Sequence, residues 1–204
     1  RRLVDGGVIA AFGHSDASWQ QTQEAIYAGA TVATHLFNQM RGIHHRAPGP
    51  IPALIADPRV CTELIVDGIH VHPAVVDLVR RAVPERRIVL VTDAMAATGQ
   101  DDGEYMLGDL AVRVRDGVAR LVDGGNLAGS TLTMDAAFRR VVQRCGFSVA
   151  DAVLAASVTP AQLLGRSDVG TLRVGGSADL VWLDPDLDLR QVWHRGSCVL
   201  PDER

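Results

Sequence analysis

Short unbroken apolar runs alternate with helical spacings through the first ninety or so residues of the chain. Val8-Ile9-Ala10-Ala11-Phe12 is such a run and ends at Gly13-His14. Ser18-Trp19-Gln20-Gln21 has the form of a capping box, which predicts a helix start there, and Gly29 marks its stop. Thr31-Val32-Ala33-Thr34 is a second run, ending at His35, and Cys61 to Val66 a third, ending in Asp67-Gly68-Ile69-His70. Pro73 opens another helix, in which Val75, Val76, Val79 and Val83 fall on one face. Ile88-Val89-Leu90-Val91 is the fourth run and ends in Thr92-Asp93. Strands apolar on both faces and joined by helices form parallel sheets. The pattern therefore predicts an α/β fold built of βα repeats. Four repeats match the second half of an eight-stranded (β/α)8 TIM-type barrel.

After Asp93 the pattern changes. Residues 104–122 hold two β-like runs about Asp116-Gly117, a hairpin insertion. Met134, Ala137, Phe138, Val141, Val142 and Cys145 recur at helical spacing, and Ser148 with Asp151 caps a further helix expected to run to about Ser157. From Gly165 onward short strand patterns such as Ala178-Asp179-Leu180-Val181-Trp182-Leu183 follow one another, punctuated by Gly175-Gly176 and Pro185. The expected organisation is a half-barrel over 1–164 and part of a small β-sandwich over 165–204.

Composition narrows the class. Of the 204 residues 47% are hydrophobic, enough to fill a core and to exclude a disordered chain. A formal net charge of −4 argues against nucleic acid as a partner, and no apolar run approaches the roughly 18 residues that span a bilayer. Cys61, Cys145 and Cys198 are odd in number and far apart, which fits a reducing cytoplasm better than a disulfide framework. The chain begins Arg1-Arg2-Leu3-Val4 and enters an apolar run within ten residues. That start reads as the C-terminal part of a longer polypeptide, with any site it carries incomplete.

The polar residues carry the functional signal by their position. His14, His35, His70 and Asp93 each sit at or just past the end of a predicted strand, and successive members are 21, 35 and 23 residues apart, one βα repeat each. In a parallel barrel that edge is where active-site groups collect. One histidine or aspartate after a strand is most often a helix cap or a structural side chain. Four at consecutive strand ends are much harder to assign to chance. Two imidazoles and an oxygen ligand suit a divalent first-row metal, Zn²⁺ first, with Fe, Mn or Co as alternatives. Such an ion activates water, a neighbouring carboxylate shuttles its proton, and a further imidazole polarises a carbonyl. These roles fall to His14 and His35 (metal), Asp93 (general base, then acid) and His70 (carbonyl), and the expected reaction is hydrolysis of an amide or related bond.

The motifs Gly13-His14-Ser15, Thr34-His35-Leu36-Phe37-Asn38, Asp67-Gly68-Ile69-His70-Val71, Val91-Thr92-Asp93-Ala94 and Leu127-Ala128-Gly129-Ser130-Thr131-Leu132-Thr133-Met134 resemble those of the N-acetylglucosamine-6-phosphate deacetylase family of the amidohydrolase superfamily. The likeness extends into Gly170-Thr171-Leu172 and Gly175-Gly176-Ser177-Ala178-Asp179-Leu180. The resemblance implies a phosphorylated amino sugar as substrate, with Asn38 and Gln39 at its phosphate and the Leu132–Met134 part of the loop over its acetamido group. Gln39 stands where the family has a small residue. Arg46 matches an arginine that reaches the phosphate in a neighbouring subunit, which implies a homodimer; the alternative is a solvated loop arginine. Arginine suits bidentate phosphate binding. The third protein ligand is, by the same resemblance, a glutamate on an earlier barrel strand. Glu63 and Asp67 are assigned no place on the metal: Glu63 lies inside a strand, and Asp67 is read as orienting the turn or His70. His44, His45 and His72 read as loop histidines, the first two near enough to Arg46 to line a phosphate site.

Two further readings stand beside the deacetylase. One is another amidohydrolase, acting on a cyclic amide or a dipeptide. The other is a non-catalytic barrel acting as a scaffold. The 204-residue chain alone is expected to show little activity.

Overall fold

The computed structural model describes residues 1–200; positions 201–204, the end of the expected sandwich segment, lie outside the described residues. Four parallel strands, β1 (Ala10–Phe12), β2 (Ala30–Ala33), β3 (Cys61–Ile65) and β4 (Ile88–Val91), pair in the order β1-β2-β3-β4. α1 (Arg2–Asp5) precedes them. α2 (Trp19–Tyr27) links β1 to β2, α3 (Ile51–Ala56) lies between β2 and β3, and α4 (Pro73–Ala82) between β3 and β4. The α/β class and the parallel sheet are thus those the apolar runs predict.

Local chemistry sets the element ends. The Ser18 hydroxyl accepts from Gln21 N–H at 3.2 Å while the Gln21 side chain accepts from Ser18 N–H at 2.8 Å, a reciprocal capping box that starts α2. Pro73 opens α4, and the ring of His72, read from sequence as a loop histidine, caps that helix by accepting from Ala74 N–H at 3.2 Å. Val8 and Ile9 lie outside β1 because Val8 N–H closes a turn onto Leu3 C=O at 2.9 Å. α3 goes unseen in the sequence reading because six residues between prolines are too short to show a helical period.

Between residues 103 and 121 the structure has three antiparallel strands, β5 (Gly103–Leu107), β6 (Leu110–Arg115) and β7 (Val118–Leu121), where the sequence suggests two. Asp116 and Gly117 both have positive φ, 50° and 70°, the turn that matches strand twist in a two-residue hairpin. α5 (Met134–Arg144) and α6 (Val149–Val153) follow. Beyond α6 the helix does not end near Ser157. It continues through a π-helical turn, Leu154–Val158, into α7 (Thr159–Leu163). The widened turn lies directly before Pro160, whose ring and missing N–H an unbroken α-helical ladder does not accommodate. β8 (Leu180–Leu183), β9 (Leu189–His194) and β10 (Ser197–Leu200) form a second antiparallel sheet.

The main core lies between the parallel sheet and its helices. Leu64, Ile65, Ile88 and Leu90 of the strands pack with Ile26, Leu54, Val76, Val79, Ala137 and Val141 of the helices, all buried. A smaller core of Met95, Val112, Val114, Ala119 and Ala128 attaches the β5–β7 sheet to the chain that follows β4. Arg87 ties the base of the sheet to α3: its guanidinium donates to Asp57 C=O at 2.6 Å, Val60 C=O at 2.9 Å and Ile55 C=O at 3.1 Å. Those carbonyls lie at and just past the C-terminus of α3, where helical acceptors have no partner of their own. Arg87→Ala is expected to lower unfolding free energy by about 2–4 kcal/mol, with Arg87→Lys intermediate, as read by equilibrium urea denaturation.

Candidate active site

The carboxyl ends of the four parallel strands are where the chain leaves regular geometry. His35, Phe37, Gln39 and Asp93 have φ of 32°, 79°, 52° and 52°. Non-glycine residues held in this region cost about 1–3 kcal/mol each and cluster at functional sites. Tertiary bonds hold them there. Thr34 N–H donates to Phe12 C=O at 2.9 Å and Leu36 N–H to Glu63 C=O at 2.8 Å, so the segment around His35 extends the pairing of β2 with both neighbours. Beyond it, Ser15 N–H donates to Gln39 C=O at 2.9 Å and Arg41 N–H to Ser15 C=O at 3.1 Å, fastening the loop after β2 to the loop after β1.

This register sets the rings of His14 and His35 against each other, with centroids 4.9 Å apart and planes tilted by 41°. His14 is exposed and His35 half-buried. Glu63 joins them from β3: its Oε2 accepts from His35 N–H at 3.3 Å. Burial raises the Glu63 pKa, and the charge of Asp93 adds to the effect, against the pull of the His35 N–H and ring. The sequence names Glu63 as a nearby carboxylate and assigns it no place on the metal because it lies within a strand rather than at its end. The signal was there: an ionisable residue between Thr62 and Leu64, both fully buried.

Asp93, exposed at the end of β4, is fixed through its backbone. Ser130 N–H donates to Asp93 C=O at 2.7 Å, Met95 N–H returns to Ser130 C=O at 2.9 Å, and the Ser130 hydroxyl donates to Thr92 C=O. Gly129, with φ +64°, lets this loop approach, since a Cβ there would lie 3.0 Å from Asp93 C=O. His70 and Asp67 form a pair on the turn after β3, with Nδ1 to Oδ2 at 2.6 Å and side chains only 6% and 10% exposed. Burial opposes ionisation of Asp67, but the His70 ring and the Ile69 and His70 N–H groups outweigh it and lower the pKa.

A cavity of about 250 Å³ opens beside His70 and Asp67, lined also by Ser130, Thr131, Leu132 and Arg140. Arg140, which the sequence reading did not single out, has its Nε buried without a hydrogen-bond partner among the described residues. Its trace in the sequence is an arginine three residues after the buried Ala137, on the apolar face of α5. Met134 is 38% exposed at the start of α5 and does not line the cavity. The Asn38 side chain donates to His35 C=O at 3.0 Å, next to the imidazole pair. Gln39 is exposed with its carbonyl committed to Ser15. Arg46 lies on an exposed loop with His44 and His45: its guanidinium is 2.7 Å from His45 Nε2, and the two imidazole rings lie 4.4 Å apart, tilted by 36°.

The donor chemistry at the strand ends fits a divalent first-row ion. Two imidazoles lie side by side, and Nδ1 of His35 is buried with no hydrogen-bond partner among the described residues. Among the described residues no group of three or more His, Cys, Asp or Glu side chains is arranged to hold a metal ion, so the pair is an open donor set.

Comparison with known proteins identifies the family. The profile of the Amidohydrolase family matches residues 4–200. The chain belongs to the amidohydrolase family. N-acetylgalactosamine-6-phosphate deacetylase of Escherichia coli O157:H7 is 46% identical over 197 residues, covering 96% of this chain and 52% of that protein. N-acetylglucosamine-6-phosphate deacetylase of Vibrio furnissii is 41% identical over 200 residues, covering 98% of this chain and 50% of that protein. The crystal structure of N-acetyl-D-glucosamine-6-phosphate deacetylase from Mycobacterium smegmatis superposes with a TM-score of 0.93 at 48% identity, over 98% of this chain and 53% of that one. This amidohydrolase chain thus spans about half the length of the curated relatives it matches.

The approach of Gly129 to Asp93 is directly testable. Gly129→Ala is expected to lower unfolding free energy by about 1–3 kcal/mol. Gly99→Ala, at φ +76° with nothing within 4 Å of the added Cβ, carries backbone strain alone and is expected to cost less, both read by chemical denaturation.

Proposed function

We propose that this chain is the carboxy-terminal part of a metal-dependent hydrolase that removes the N-acetyl group of N-acetylglucosamine 6-phosphate, giving acetate and glucosamine 6-phosphate. The observation that supports the reading is the pairing of the His14 and His35 rings at the carboxyl edge of a parallel sheet whose fourth strand runs out to Asp93, in a chain whose relatives are named for this chemistry. The sheet is read as the second half of a (β/α)8 barrel over 1–164, interrupted by the β5–β7 sheet. Among the described residues its outer strands, β1 and β4, have one neighbour each, which supports a ring continued by further strands. Residues 165–204, with β8–β10, are read as part of a β-sandwich.

His14 and His35 would hold the cation, most simply Zn²⁺, with Fe, Mn or Co as alternatives and a third carboxylate ligand from outside this chain. When bound, such an ion acts as a Lewis acid and brings the pKa of a water to about 7. Asp93 takes the proton of the water that adds to the acetamido carbon, then returns it to the sugar nitrogen as the C–N bond breaks. His70 donates a hydrogen bond to the carbonyl oxygen as negative charge builds there. Leu132, in the loop after Ser130, and Met134, at the first position of α5, are read as covering the acetyl group, and Asn38 and Gln39 as belonging to the segment that faces the sugar phosphate. Arg46, on its exposed loop with His44 and His45, is read as reaching the phosphate bound by a second copy, which makes the working form a homodimer. No helix among the described residues is long and apolar enough to cross a membrane. The three free cysteines support a reducing, cytoplasmic setting.

A second reading concerns the sugar. The 46% identical relative is named for the galactosamine epimer, so kcat/KM on both 6-phosphates, measured by acetate release from the full-length protein, decides between them. In the same assay Asp93→Asn is expected to lower kcat by about 10²–10⁴-fold; activity within threefold of wild type would overturn the proton relay. Arg46→Ala is expected to raise KM for the phosphosugar by about tenfold with kcat little changed, as loss of one charged phosphate contact implies.

A further inference from the structure

The turn Asp67-Gly68-Ile69-His70 holds a buried carboxylate against a buried imidazole, and the two carboxylate oxygens are used differently. Oδ1 accepts from Ile69 N–H and His70 N–H, both at 2.8 Å, which folds the turn. Oδ2 lies 2.6 Å from His70 Nδ1. An ionised carboxylate accepts only, so the proton of that contact resides on Nδ1. Nε2 is then the nitrogen left for the cavity that His70 lines. To donate from Nε2 as well, the ring must carry both protons, and the positive charge this creates lies in contact with Asp67. Gly68, with φ +80°, closes the turn, and the Arg140 guanidinium lies 3.0 Å from where its Cβ would be. The ring is therefore held by a fixed loop.

We propose that Asp67 is a positioning residue for catalysis: it holds the proton on His70 Nδ1 and balances the charge of the ring when Nε2 donates to the substrate carbonyl. Its catalytic consequence rests on the deacetylase reading, whereas the proton placement does not. A buried aspartate likewise orients the histidine of a Ser-His-Asp triad and stabilises its charged form; here the charged ring is needed as a donor at Nε2 rather than as the product of a base.

Asp67→Asn separates the two jobs of the carboxylate. The asparagine oxygen is required at the Oδ1 position by the two backbone N–H groups, so its NH₂ faces Nδ1 and moves the ring proton to Nε2. In the full-length protein, ¹⁵N NMR of the His70 ring is expected to show protonated Nδ1 in wild type and unprotonated Nδ1 in Asp67→Asn. Asp67→Asn leaves a neutral ring that still donates from Nε2, a weaker donor than the charged ring, so kcat is expected to fall by about tenfold with KM within about threefold. Asp67→Asn combined with His70→Asn is expected to be no slower than His70→Asn alone, because Asp67 acts through the ring. A wild-type ring without a proton on Nδ1, a kcat for Asp67→Asn within threefold of wild type, or multiplicative losses in the double variant would each overturn the proposal. If Asp67→Asn fails to fold, the wild-type ring spectrum still decides the proton placement. Wild-type protein inactive on both phosphosugars would instead sink the deacetylase reading, and the ring spectra would continue to judge Asp67.

Discussion

The parallel ladder is the constraint from which the rest follows. β1–β4 commit their backbone groups to one another and turn apolar side chains to the helices packed over them. Charged groups find room chiefly where the ladder stops. Because the strands run the same way, with Ile65 opposite Val91 and Ala33 opposite both Phe12 and Thr62, they stop at one edge. His14, His35, the Asp67–His70 turn and Asp93 all lie there. The strained backbone at His35 and Asp93 is held by that same arrangement, because each next segment is hydrogen-bonded to a neighbouring strand or loop.

Two carboxylates on β3 and the turn after it show how closely this edge tunes charge. Burial works against ionisation of both Glu63 and Asp67, yet their pKa values move in opposite directions. Burial acts the same way on each. Glu63 receives one long backbone hydrogen bond and feels the like charge of Asp93. Asp67 receives two backbone N–H groups and an imidazole at short range. The difference lies in donors supplied, and it leaves an ionised group beside His70 and a reluctant one beside the imidazole pair.

The sequence was most legible where one signal dominates. Four apolar runs, the Ser18 capping box and Pro73 led directly to strands and helices that the structure contains, and the strand-end histidines could be picked out because a parallel fold gives strand ends meaning. It was least legible where local pattern and tertiary need diverge. α3 is too short to show a period, and the π-helical turn before Pro160 exists only to carry the helix past a residue that ordinarily stops one. β5 escaped because Gly103-Glu104-Tyr105-Met106-Leu107 shows no clean alternation, its inner side covered by a small core from distant residues. Arg140 is not singled out by the sequence and Glu63 is given no role there for a related reason: each occupies a position whose neighbours predict an apolar side chain, and only the fold reveals what each faces.

In the proposed reading His14 and His35 form the histidine half of a cation site at the mouth of the sheet. Metal content of the purified full-length protein, compared with that of the His14→Ala/His35→Ala double variant, tests it most directly. At least one divalent first-row ion per chain is expected in wild type, and essentially none in the double variant while its fold persists by circular dichroism. A double variant that keeps the wild-type metal content, or a wild-type protein that binds none when supplied with Zn²⁺, would contradict the account.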